Sequence, residues 1–359
     1  VTERIFNFSA GPAVLPEEVV RKVQENLYCY KDSGLGVMEM SHRGAEFTEI
    51  IEGVEKDLRS LLDISDDYAV VFSTGGATQQ FSMVPMNILQ KGSTAEYILT
   101  GAWAKKAAAE AKKFGEVSIA ADGSADNFSS IPKELSLVEK SSYVHFTSNN
   151  TIFGTQYHAE PEVGDRVLVC DASSDFLHRK IDINKYGIVY AGAQKNIGPA
   201  GVTLVIIRKD LLERIPAGLP VMLDYRTLVE NNSLYNTPPT FPIYVISEVL
   251  QWLESLGGLD AIYERNKNKA SLLYSAIDAG EFYRAVVGEE DRSLMNVTFR
   301  LPSEELEKKF IEKATTNGLS GLKGHRSVGG IRASIYNAFP TEGVQALIDF
   351  MAEFEKTEG

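Results

Sequence analysis

Cysteine is scarce in this chain: Cys29 and Cys170 are the only two in 359 residues. They form neither a disulfide framework nor a metal-type spacing, and a reducing, cytoplasmic location is expected. Long hydrophobic runs are missing as well. No stretch of about 20 apolar residues occurs, so no membrane-spanning helix is expected. The opening residues, Val1 to Phe8, hold no apolar h-region and no cleavage signature, and no secretory leader is expected. None of the five histidines falls in an HExxH pattern, which argues against a zinc hydrolase. Positive charge is in deficit: 36 Lys and Arg stand against 49 Asp and Glu, a net charge of −13. That balance disfavours nucleic acid and anionic membrane as partners. It also makes any local cluster of cations informative.

What is present is an ordinary globular composition, 44% hydrophobic and 24% charged, in a chain long enough for two domains and a large core. Short apolar runs alternate with helical patterns. Residues 15–30 and 44–62 read as helices; in the first, Val19, Val20, Val23 and Leu27 share a face and Pro16 sits at the first turn. Strand-like runs follow at 68–72, 96–99, 143–146, 167–170, 188–190 and 202–207, with helices at 79–89 and 103–114. This alternation predicts an α/β fold whose large domain carries a mostly parallel sheet flanked by helices. Beyond about 245 the pattern changes. Helices are expected at 245–256, 260–280 and 304–316, strands at 295–301 and 330–336, and a final helix capped by Thr341. These make a smaller α+β C-terminal domain. The expected division is 15–258 for the large domain and 259–359, with segment 1–14, for the small one.

Lys195 is enclosed by small residues, in Ala191-Gly192-Ala193-Gln194-Lys195-Asn196-Ile197-Gly198, just after an apolar run. Small neighbours leave room for something bulky at its nitrogen. Another apolar run ends 24 residues earlier in Asp171-Ala172-Ser173-Ser174. A strand ending in Asp, then a strand ending in Lys, is the arrangement needed to hold pyridoxal 5′-phosphate. The lysine forms the Schiff base and the aspartate pairs with the pyridinium nitrogen.

Other segments fit the same picture, each with a plainer reading beside it. Phe72-Ser73-Thr74-Gly75-Gly76-Ala77-Thr78 runs from a strand through two glycines into a helix, which suits a phosphate at the helix N-terminus or is a plain turn. It matches neither a P-loop nor a GxGxxG fingerprint. The Thr78 and Ser173 hydroxyls have the chemistry to touch that phosphate. Trp103 can stack on a flat ring or belong to the core. Thr151 follows Asn149-Asn150 and either reaches the cofactor or shapes a turn. His42-Arg43 and His325-Arg326 are cationic pairs, and Arg332 lies on an alternating strand that suits a grip on a carboxylate. Taken singly, each pair is better explained as surface charge. Together they point to a substrate with two anionic ends. Leu234 to Phe241 contains Pro238-Pro239 and reads as a rigid, extended loop.

Four segments, in order, carry a resemblance that spans essentially the whole chain: MEMSHRG (38–44), YAGAQKNIGPAG (190–201), YNTPPTF (235–241) and LKGHRSVGGIRASIYNA (322–338). With them the chain resembles the phosphoserine aminotransferase family, class V aminotransferases of fold type I. The resemblance implies transfer of an amino group from L-glutamate to 3-phosphohydroxypyruvate, giving O-phosphoserine and 2-oxoglutarate in serine biosynthesis. The related phosphohydroxythreonine step of pyridoxine biosynthesis is implied as well. It further implies a homodimer with shared active sites. Carried over by motif, Lys195 and Asp171 are catalytic. Ala77, Thr78 and Gln194 line the cofactor phosphate, Trp103 stacks on the ring and Thr151 contacts it. Asn236 and Thr237 reach the phosphate from the other subunit. His42, Arg43 and Arg332 bind substrate, with His325 and Arg326 contributed by the neighbouring subunit. Some members carry arginine where this chain has Thr78, which leaves open how the cofactor phosphate or a nearby substrate phosphate is neutralised. The competing readings are another fold-type-I aminotransferase, a desulfurase, or a protein that binds an anionic metabolite without turning it over. A desulfurase needs a mobile cysteine, and neither Cys29 nor Cys170 is placed for that.

Overall fold

The computed structural model describes residues 4–359. Residues 1–3, part of the expected N-terminal segment, lie outside the described residues. The centre of the molecule is a seven-stranded sheet. Its spatial order is Tyr68–Ser73, Thr203–Arg208, Ile188–Gly192, Leu168–Asp171, Ser141–Thr147, Thr94–Leu99 and Glu116–Asp122. Thr203–Arg208 is antiparallel to both of its neighbours, and the other strands run parallel to one another. Tyr68–Ser73, Leu168–Asp171 and Ile188–Gly192 are buried along their whole length, as apolar clusters cover both sheet faces. Leu168 and Cys170 face one apolar cluster while Val169 faces the other, as strand alternation requires. The helix Ala45–Leu62 lays Phe47, Ile50, Ile51, Val54, Leu58 and Leu62 into the first cluster, the stripe its spacing predicts.

The remaining strands form smaller sheets. Ile331–Ser334, Asn296–Arg300 and Arg284–Ala285 make an antiparallel three-stranded sheet, against which Gly258–Asp278 and Thr341–Glu358 pack. Phe6–Asn7 pairs in parallel with Leu319–Ser320, and Phe8 is fully buried with its ring 4.4 Å from that of Phe339. The N-terminal segment is thereby laced onto the C-terminal part of the chain.

Several elements differ from the sequence reading. Glu116–Asp122 was not expected as a strand; it is one edge of the sheet, and most of its residues are partly or fully exposed, so no apolar run marks it. The helix Thr240–Ser255 starts five residues before 245, directly after Pro239, and is buried nearly all round. Thr341 does not cap the last helix: Pro340 holds that position, and no side-chain cap forms. In the first helix, Glu17–Tyr28, only Val19 is buried; Val20 and Leu27 stay exposed. Gly257 ends the helix before it, as its glycine pair predicts, in the left-handed conformation with φ 99°.

Candidate active site

A cavity of about 440 Å³ opens beyond the carboxyl ends of the parallel strands, where α/β sheets place their ligands. Strand alternation puts Asp171 on the same sheet face as Val169, and its cross-strand neighbours are Thr147 and Tyr190. Asp171 is only 4% exposed, and burial raises its carboxyl pKa. The Ser173 backbone N–H, 3.0 Å from Oδ1, and the nearby Lys195 charge oppose that rise. Lys195 follows the next strand, and burial lowers the pKa of its amine against the pull of Asp171 and Asp175. Arg332 adds to the lowering. Two groups facing one cavity are thus both pushed toward neutrality, an arrangement that concentrates at functional sites.

The walls come from several strand ends. Gly75 and Gly76 have φ 78° and 63°, a left-handed turn that delivers the chain into the helix Gly76–Ile88. Ala77 and Thr78 follow in its first turn and line the cavity, so the helix's free N–H groups and positive dipole end lie beside the cavity. Trp103 opens the helix Ala102–Ala111, lines the cavity, and donates its indole N–H to the Thr151 hydroxyl at 3.3 Å. The Ser173 hydroxyl accepts from the Gly192 N–H at 3.1 Å and keeps its own proton to donate. Gln194 lies beside Lys195 on the wall. Arg332 enters from the small sheet, donating to the Thr151 carbonyl at 3.1 Å, and burial lowers its pKa.

The expected residues divide into two sets. Ala77, Thr78, Trp103, Thr151, Asp171, Ser173, Gln194, Lys195, His325 and Arg332 share the cavity. His42, Arg43, Asn236, Thr237 and Arg326 do not line it in their own chain. His325 lines the cavity of the chain it belongs to, which differs from its expected arrival from a neighbouring subunit: the loop before Ile331–Ser334 folds back over the same strand ends. The sequence reading missed Ala10, Gly11, Thr147 and Ser174, which also line the cavity. A Cβ added at Gly11 would stand 3.4 Å from Lys195 Cγ, so the N-terminal segment closes over the lysine stem. Ser174 repeats the polar character of Ser173 and could have been flagged; Ala10 and Gly11 carry no chemical signal.

Cys170 is buried, and burial pushes its thiol well above the ordinary value. Such a thiol is inert, so Cys170 is not the mobile cysteine that a desulfurase needs. The donor set fits pyridoxal 5′-phosphate: a desolvated amine, a buried carboxylate held by Ser173, a helix N-terminus for a phosphate, and an indole on the wall.

The model of the class-V aminotransferases matches residues 5–347. The phosphoserine aminotransferase of Desulfosudis oleivorans is 53% identical over 361 residues, covering 100% of both chains. Among solved structures, the phosphoserine aminotransferase of Bacillus circulans subsp. alkalophilus matches with a TM-score of 0.98 at 51% identity, covering 100% of each chain. The PLP-bound phosphoserine aminotransferase of Trichomonas vaginalis matches with a TM-score of 0.93 at 39% identity, over 97% of this chain and 100% of that one. With full-length relatives at this identity and a site built on Lys195 and Asp171, the chain belongs to the class-V aminotransferase family, in its phosphoserine aminotransferase branch.

Proposed function

We propose that this enzyme moves an amino group between L-glutamate and 3-phosphohydroxypyruvate, forming O-phospho-L-serine and 2-oxoglutarate, with pyridoxal 5′-phosphate as its cofactor. The observation that carries the reading is the Lys195–Asp171 pair, desolvated together at the strand ends of one cavity. A steady-state assay with glutamate and 3-phosphohydroxypyruvate tests it. Formation of 2-oxoglutarate is expected; turnover with other keto acids but not with this one would overturn the substrate assignment.

Bound in the site, the cofactor supplies an aldehyde for the amino group and a ring that accepts electrons when the substrate's Cα–H ionises. The chain's residues do the rest. Lys195, held toward neutrality by burial, has an amine free to take and return the proton at the substrate's Cα. Asp171, on the cavity wall, would supply the negative charge that keeps a ring nitrogen protonated. Ala77, Thr78, Ser173 and Gln194 would hold the phosphate, with the helix dipole supplying part of the charge that an arginine at 78 would have brought. Trp103, fixed by Thr151, supplies a flat wall for the ring.

Arg332 takes the α-carboxylate common to both amino acids. Its anchoring to the Thr151 carbonyl orients the planar guanidinium, a geometry that lysine does not reproduce. Replacing it by lysine is expected to raise KM for both amino donors by about 100-fold, the cost of losing a bidentate charge-assisted pair. Steady-state kinetics with each donor checks this; a change confined to one donor would contradict a grip on the shared carboxylate.

Asn236, Thr237 and Arg326 complete the site from a second copy of the chain in this reading, which makes the enzyme a homodimer; His42 and Arg43, expected beside Arg332, are assigned to that second copy as well, because they do not line the cavity of their own chain. Exposed apolar residues flank two of these segments: Tyr28, Leu35 and Met38 precede His42, and Tyr235 precedes Asn236. Such residues favour burial against another surface. Sedimentation is expected to show one species of twice the chain mass, and a fully active monomer would contradict it. No helix among the described residues is long and apolar enough to cross a membrane. A cytoplasmic, reducing setting suits the two free cysteines.

A further inference from the structure

On the helix Glu304–Thr316, Glu304, Glu305, Lys308 and Lys309 face solvent, but Glu307 turns inward and is buried. Its carboxylate meets Arg300, the last residue of the strand Asn296–Arg300. Arg300 Nε donates to Glu307 Oε1 at 2.5 Å, and Nη2 donates to Oε2 at 3.4 Å. By itself such a pair only fastens a helix to a sheet. Phe310 and Ala314, buried on the same helix, already do that through apolar contact.

Both partners also hold a third segment. Arg300 Nη1 donates to the Val328 carbonyl at 3.2 Å, and the Gly330 N–H donates to Glu307 Oε2 at 3.1 Å. A Cβ added at Gly330 would stand 2.8 Å from Arg300 Cδ, so this segment lies directly on the arginine. The two anchors fall between His325 and Arg332, which both line the cavity. The Gly324 N–H closes the turn on the Gly330 carbonyl at 2.9 Å, and the Val328 and Gly329 N–H groups both donate to the His325 carbonyl at 2.9 Å. The Ser327 N–H, which can only donate, reaches His325 Nδ1 at 3.3 Å. Nδ1 is therefore an acceptor, and the neutral ring carries its proton on Nε2. The backbone that fixes this form of the ring is the backbone that Arg300 and Glu307 hold.

We propose that Glu307 and Arg300 are a positioning pair for substrate: by fixing Val328 and Gly330 they set where His325 stands relative to Arg332, and so the span between the groups that take the distal and the α-carboxylate ends of the amino acid. This role rests on the amino-acid site proposed above. A carboxylate suits position 307 because it serves three N–H donors, Arg300 Nε and Nη2 and the Gly330 N–H. An amide has one acceptor oxygen and would turn its NH2 group toward one of them.

The test measures the half-reactions of the holoenzyme with O-phosphoserine and with L-glutamate, in the parent, Glu307→Gln, His325→Ala and the double variant. Glu307→Gln is expected to raise KM for both amino acids about tenfold, with the limiting rate within about twofold of the parent because Lys195 and Asp171 stay in place. In the His325→Ala background the same change should add less than about twofold, since the group it positions is gone. Arg300→Lys keeps the charge but loses the fork that reaches Glu307 and Val328 together. It should behave as Glu307→Gln does, and it decides the matter should that variant fail to fold. A further rise of about tenfold on top of His325→Ala would overturn the pair's role. So would a loss confined to the limiting rate, an unchanged KM, or a His325→Ala variant that binds both amino acids as the parent does. A parent that reacts with glutamate but ignores O-phosphoserine would overturn the phosphorylated-substrate reading, while the glutamate measurements still decide the role of the pair.

Discussion

Replacing Lys195 with alanine is expected to lower the transamination rate by at least about 10⁴-fold, because covalent attachment and proton transfer at Cα are lost together. The loss should appear in kcat, measured in single turnovers with O-phosphoserine, while amino-acid binding persists through Arg332. A residual rate within about 100-fold of the parent would mean that another base moves the proton. Unfolding is not the cause to expect. The Lys195 amine has its pKa lowered by burial, so the folded protein binds fewer protons there than the unfolded chain does. Between the folded value and the ordinary 10.5, stability therefore rises with pH, and below that window the charged amine destabilises the fold. In cofactor-free protein at pH 7, Lys195→Ala should thus melt no lower than the parent. Its advantage should shrink as pH approaches the ordinary lysine value. Parallel melting curves at pH 7 and near pH 10 would show it.

Asp171→Asn should cost about 1,000-fold in rate with the cofactor still bound, since an amide preserves shape but cannot supply the charge. The parent carboxylate sits 4% exposed, where burial favours its neutral form. The Ser173 hydroxyl, the Lys195 charge and the Ser173 N–H oppose that in the chain alone. A cationic ring nitrogen opposite the carboxylate would be the strongest of these counterweights, and asparagine cannot pair with it in the same way. The check compares bound cofactor, by absorbance, with the half-reaction rate. A rate within about tenfold of the parent would show that the charge at 171 does not drive the chemistry.

The chemistry of this site was legible because it falls where strands end. Asp171 and Lys195 close apolar runs that the buried centre of the sheet requires, and Gly75-Gly76 punctuates the turn into a helix. Glu116–Asp122 escaped because this edge of the sheet is left largely uncovered and so carries no apolar run, unlike the buried opposite edge Tyr68–Ser73. The helix at Thr240 began earlier than its periodicity indicated because a helix buried all round has no polar face to mark its start. Gly11 and Thr147 were invisible for a different reason. Their place at the cavity follows from an N-terminal segment paired with Leu319–Ser320 and from the register Thr147–Asp171, both long-range facts. The cationic pairs were readable as chemistry but not as position. The motif placed His325 and Arg326 together in a neighbouring subunit's site, whereas the fold sets His325 on the cavity wall of its own chain and leaves Arg326, one residue on, outside it.

The most direct test of the account is the visible spectrum of the holoenzyme as O-phosphoserine is added with no keto acid present. Lys195 and Asp171 should support a single half-turnover: the yellow band bleaches, and one equivalent of 3-phosphohydroxypyruvate appears per chain. A yellow enzyme that keeps its band with O-phosphoserine, yet bleaches with another amino acid, would contradict the assignment of this site to the phosphorylated substrate.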